Sequence, residues 1–191
     1  MGINVLNTVK SVIDKKTIVD LQGIPTSGSL ATATASQVAI AQGKGFVLTG
    51  KYLALAAGAS LYMLLDASPS PAFHFHDFEV SAIGSPVLVE FFESPTVTVN
   101  GTAIPGVNQN RVLNDAVLSL TYIGSTVTVD GTLLASGSIL GATTQKNAIG
   151  KTELGSQWVL DPSKLYIFKF TNNDNSAVDL HFNFQWHEHA T

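Results

Sequence analysis

The chain has 191 residues, of which 45% are hydrophobic and only 13% charged, with a net charge of −4 and no cysteine. No basic block supplies the face that phosphate binding needs, which argues against a nucleic-acid partner, and the missing cysteines exclude a disulfide scaffold or a thiolate metal site. The longest apolar run, Tyr52 to Leu65, is broken by Gly58 and Ser60, short of the roughly 18 apolar residues that mark a membrane span.

Residues 1–35 read as an N-terminal arm or linker. Ile3, Leu6, Val9, Val12 and Ile13 have roughly helical spacing. Asn4, Val5, Asn7 and Thr8 between them are poor helix formers, so an extended arm is an equal reading. Met1 to Ile13 lacks the basic start and continuous apolar core of a secretory signal. From Gly23 to Gly45 the text is rich in Ala, Ser, Thr and Gly, as in a linker or an arm lying on a partner.

From residue 36 to 191 the pattern predicts β structure. Phe46-Val47-Leu48 and Tyr52 to Leu55 read as strands around Gly50, and Leu61 to Leu65 as another. Phe73 and Phe75 are out of step with Phe78 and Val80, which predicts a bulge near His76-Asp77. Val87 to Phe92 is a buried strand closed by Glu93-Ser94-Pro95. Thr96-Val97-Thr98-Val99-Asn100-Gly101-Thr102 then returns almost unchanged as Thr126-Val127-Thr128-Val129-Asp130-Gly131-Thr132. Asn-Gly and Asp-Gly suit tight turns, so each repeat predicts a hairpin. Residues 135–157 read as a long loop. Tyr166, Phe168 and Phe170 alternate, as do Val178, Leu180, Phe182, Phe184 and Trp186 after a turn-forming cluster. Eight to ten strands of this kind predict an all-β fold, an antiparallel β-sandwich or jelly roll with an extended N-terminal arm.

Few residues suggest chemistry. His74 and His76 form one His-x-His, and His187 and His189 another. Residues two apart on a strand share a face, so each pair is a candidate metal grip, with Asp77 or Glu188 nearby if the strands are neighbours. The same pattern also arises on the polar face of any half-buried strand, and the Gly-rich spacing of the cupin metal motif is absent. Glu90 and Glu93 differ by three, which sends them to opposite strand faces and away from paired-carboxylate chemistry. No Gly-x-Ser-x-Gly occurs, and Gly43-Lys44-Gly45 lacks the flanking spacing of a phosphate loop. Trp158, Tyr122, Tyr62 and Trp186 are candidates for a carbohydrate platform, although alternating aromatics in strands are usually core. These readings predict no enzyme, no catalytic residue and no cofactor.

Glu93-Ser94-Pro95-Thr96-Val97-Thr98 with Asn100-Gly101-Thr102 forms a distinctive layout with Asn108-x-Asn110-Arg111 and Thr126-Val127-Thr128 with Gly131-Thr132. Tyr166 to Asn172 and the closing Trp186-x-Glu188 complete it. Over residues 73–188 this resembles the tailed-bacteriophage capsid decoration, or cement, proteins of jelly-roll type. The resemblance implies a homotrimer or homodimer made in the bacterial host cytoplasm and bound to the major capsid protein on the virion exterior. No catalytic residues come with it. Ile3, Leu6, Val9, Ile18, Leu21 and Ile24 are then the candidate capsid contacts of the arm. The competing expectations are a virion fibre or glycan-binding β-sandwich protein, and a cupin-like metal-binding protein.

Overall fold

The computed structural model describes residues 34–68, 73–83, 86–113, 115–139 and 158–188. The helix α1 (Ala35–Ala41) leads into β1 (Gly45–Leu55), β2 (Ser60–Asp66), β3 (Phe73–Ile83) and β4 (Val87–Glu93). Five short strands follow: β5 (Thr96–Val99), β6 (Thr102–Ala103), β7 (Val107–Asn108), β8 (Leu120–Ile123) and β9 (Thr126–Val129). The chain ends with β10 (Thr132–Ile139), β11 (Trp158–Leu160), β12 (Leu165–Asn172) and β13 (Val178–Glu188). The proposed arm contacts Ile3, Leu6, Val9, Ile18, Leu21 and Ile24 lie outside the described residues.

The strand pairings nest inside one another. β1 pairs with β13, β2 with β12, β3 with β11 and β4 with β10, all antiparallel. That is one long ribbon doubled back on itself. Rolling it up adds β3 to β13 and β4 to β12. Two sheets result, in the orders β11-β3-β13-β1-β7 and β10-β4-β12-β2-β8-β6. This is the jelly roll expected from the sequence.

Alternation along the strands builds the core between the sheets. Phe168 of β12 is fully buried and stacks on Phe78 of the opposite sheet at 4.3 Å and on Phe91 at 4.5 Å. Phe184 of β13 meets Phe168 edge-on at 5.6 Å. Such interlocked rings contribute attraction beyond their buried area. The parity change in β3 is taken up at His76: Gln185 faces Asp77 while Trp186 already faces Phe75, leaving His76 as the extra residue. The predicted bulge is present and keeps Phe75 and Phe78 both in the core.

Four sequence-based expectations are corrected. Residues 35–41, read as linker, form α1. Seven residues do not sustain a helix alone. This one buries Ala39 and ends in a Schellman cap, with Lys44 N–H donating to the Ala39 carbonyl and Gly43 N–H to that of Ile40. Gly43-Lys44-Gly45 thus terminates a helix. Around Gly50 there is one strand, not two, because a side chain there would collide with the Phe182 ring. Residues 135–139 belong to β10, paired with β4, where a loop is expected from their Gly and Ser content. Finally, neither repeat forms a hairpin: β5 pairs with β9, while β6 pairs with β8 and β10 with β4. Positive φ occurs at Gly101 and Gly131 but not at Asn100 or Asp130, so these turns are corners that send the chain into another sheet.

Candidate functional site

The outer face of the five-stranded sheet carries the histidines. Gly45, His187 and His74 lie in one cross-strand row, and Lys51, His181 and Ser81 in another. β3 and β13 are neighbours, so three of the four candidate histidines converge; His189 lies outside the described residues. The His74 ring lies flat on His187 at 4.5 Å with an interplanar angle of 13°. The His76 ring packs on the other side at 4.1 Å, and His76 Nε2 meets His187 Nδ1. His187 is buried at 2% exposure. Beside it is a cavity of about 20 Å³, bordered by His76, His187, Gln109, Gln185 and Ser36. Among the described residues no three His, Asp or Glu side chains are arranged to hold a metal ion together.

Glu188 does not join this cluster. It follows Trp186 on the same strand face, opposite to His187, and is 2% exposed. Its carboxylate accepts the Trp186 indole N–H at 3.0 Å, the Ser119 N–H at 3.0 Å, the Ser119 hydroxyl at 2.7 Å and the Leu118 N–H at 2.8 Å. Four donors satisfy a charge that burial would otherwise penalise heavily. The Trp186-x-Glu188 pair is therefore a clamp that fixes residues 118–119 to β13. Asn108 and Asn110 act likewise. Asn108 Nδ2 donates to the carbonyls of Gly43 and Asp115 at 2.7 and 3.0 Å. Asn110 Nδ2 donates to those of Ile40 and Ala41, both at 3.0 Å. Asn-x-Asn thus satisfies the open carbonyls at the end of α1.

Between β4 and β10, residues 94–131 form an insertion with internal two-fold symmetry relating each position to the one thirty residues later. Thr102 faces Ile123, and Thr132 faces Glu93. The Thr98 hydroxyl donates to the Thr126 carbonyl at 3.3 Å, and the Thr128 hydroxyl to that of Thr96 at 3.3 Å. A Cβ at Gly101 would strike the Ile123 carbonyl, and one at Gly131 the Glu93 carbonyl. Ser94 and Gly124, the corners before each repeat, both have positive φ (57° and 73°). The β5–β9 ribbon covers the outer face of the six-stranded sheet. There Val97 and Val127 pack on Leu64, Phe92 and Ile167 in a second small core. The upper side of the ribbon leaves Val99 and Val129 each 58% exposed.

The remaining sequence candidates separate. Trp186 is buried in the main core. Trp158 packs edge-on against Phe91 at 5.8 Å. Tyr62 and Tyr122 pack against the second core cluster. The four aromatics do not form one platform. Glu93 points to the core side, where it takes Lys164 Nζ at 2.7 Å and the Tyr166 hydroxyl at 3.2 Å, whereas Glu90 is cross-strand to Lys169 and Ser136. Burial pushes the Tyr166 hydroxyl up from 10.0 to about 12, assisted by the Glu93 and Asp161 carboxylates and opposed by the Asp161 N–H that it accepts. Lys169, raised mainly by its hydrogen bond to Asp130, ties the second corner to β12 at 2.6 Å. Among the described residues no helix is long and apolar enough to cross a membrane.

No protein-family model matches the chain, and no curated protein matches it in sequence.

Proposed function

We propose that this protein is a structural virion component, a decoration protein that binds the outer surface of a bacteriophage head and reinforces it. The observation that carries the reading is the distribution of exposed apolar side chains. Ten large ones stand out among the described residues, and seven of them lie in the 94–131 insertion; the other three are Leu53, Leu133 and Val159. The seven include Val99, Val129, Leu118 and Val112, the last at 91% exposure. Concentrated apolar exposure marks a surface meant to be covered, and the low charge content lessens the desolvation that covering it would cost. The jelly-roll body and the resemblance over residues 73–188 point the same way. The partners in this reading are the major capsid protein and further copies of the chain, with many weak contacts summed by repetition over the shell.

The test is co-sedimentation of the full chain with undecorated phage heads. The parent should pellet at a fixed copy number per shell. Val99→Asp combined with Val129→Asp should leave melting unchanged and weaken attachment at least tenfold, since each buried Val is worth roughly 1.5 kcal/mol or more. Undiminished binding by this variant would remove the insertion from the contact. A parent that ignores the shells would overturn the decoration reading.

A further inference from the structure

We infer that His76 and His187 form a binding site for one divalent transition-metal ion, with Zn2+ as the representative, on the outer face of the five-stranded sheet. Three observations carry this. The bulge places His76 beside His187 rather than one row away, and His76 Nε2 meets His187 Nδ1. Two imidazole nitrogens that meet must share either a proton or a cation.

The second observation is the cavity beside them. Its volume of about 20 Å³ exceeds the roughly 10–15 Å³ that a single water-sized occupant requires. Its other polar borders are the amides of Gln109 and Gln185 and the hydroxyl of Ser36. Neutral imidazole with oxygen donors and water suits Zn2+, Cu2+ or Ni2+ rather than Mg2+ or Ca2+. The third is the room left by Gly45, opposite His187. A side chain there would collide with Ile40 and crowd Gln109 Oε1, at 3.2 Å from its Cβ.

His74 is not a ligand in this arrangement. It lies flat on the His187 ring, where it fixes that ring's orientation and covers one face. With two protein nitrogens the site depends on the amides and water for its remaining ligands, which explains why no triad of His, Asp or Glu is found there. The ion would join β3 to β13 directly beneath α1, because Ser36 and Ile40 of that helix border the same cavity.

The experiment is zinc titration of the full chain, read by metal retained after gel filtration and by thermal melting. One zinc per chain should be retained. A hundredfold excess over the dissociation constant should raise the melting midpoint by about 5 °C or more. His76→Gln, at a half-buried position, should lose both effects, and His187→Gln should as well. His181→Gln, exposed two rows away, should keep both. The parent alone decides the matter if a variant fails to fold. A parent that retains no zinc and melts at the same temperature with or without it overturns the site, and leaves a shared proton as the link between the rings. Zinc retention that persists in His76→Gln also overturns it, placing the ion elsewhere.

Discussion

The jelly-roll body and the 94–131 insertion are both built from short antiparallel strands, yet they bury apolar surface in different ways. In the body each strand pairs with a partner far along the chain, β1 with β13 and β2 with β12, and interlocking Phe side chains fill the space between two sheets. In the insertion two near-identical segments pair with each other and close only a small cluster around Leu64, Phe92 and Ile167. One face of the ribbon is buried and the other presents Val99 and Val129 to solvent. The comparison separates a scaffold, which uses its apolar residues internally, from a surface that leaves its own available.

The largest effect should come from the body. Phe168→Ala removes a fully buried ring stacked on two others and should cost about 4 kcal/mol, read as a lower denaturant midpoint for the whole domain. If only the insertion opens, the two regions are not coupled as the clamp at Glu188 requires. Next is the corner at Gly131. Gly131→Ala combines an unfavourable φ of 93° with collision against the Glu93 carbonyl, and about 3 kcal/mol should be lost. Gly124→Ala has the unfavourable φ but open space around it, so about 1 kcal/mol is expected. Equal losses at the two sites would contradict the packing of the repeat.

Smaller still, Val97→Ala and Val127→Ala should each cost about 1 kcal/mol. The internal symmetry requires the two losses to match. Hydrogen exchange should show the ribbon opening while β12 and β13 stay protected. Unequal losses would show that the two halves of the ribbon pack differently. The smallest effect concerns alkaline pH. The Tyr166 hydroxyl has a higher pKa in the folded chain, about 12 against 10.0. Its contribution is complete below pH 10 and is lost as pH rises through 12. Tyr166→Phe should flatten stability over that window, and an unchanged alkaline limb would exclude Tyr166 as its source.

The repeat shows how far local sequence reaches. Its strands were legible because Thr-Val alternation and the following glycine are local properties. Their partners were not, since Asn-Gly favours a hairpin only when both flanking strands find each other better than any third strand. Here Thr132 finds Glu93 and Thr102 finds Ile123. The histidines divide similarly. A common face for His74 and His76 follows from the two-residue period, and the bulge between Phe75 and Phe78 from their change of parity. The contact with His187 depends on a pairing that spans more than a hundred residues. Helix α1 was hidden because seven Ala-rich residues carry almost no periodic signal. Its support comes from Asn110 and from the sheet beneath.

By itself the sequence determined the all-β class, the buried face of each long strand and the position of the bulge, because these follow from side-chain alternation over a few residues. Only the tertiary structure decided the nesting order of the strands, the two-fold insertion, the burial of Glu188 and the meeting of His76 with His187. Each of these is a contact between distant segments, set by which partner buries the most apolar surface and satisfies the most hydrogen bonds.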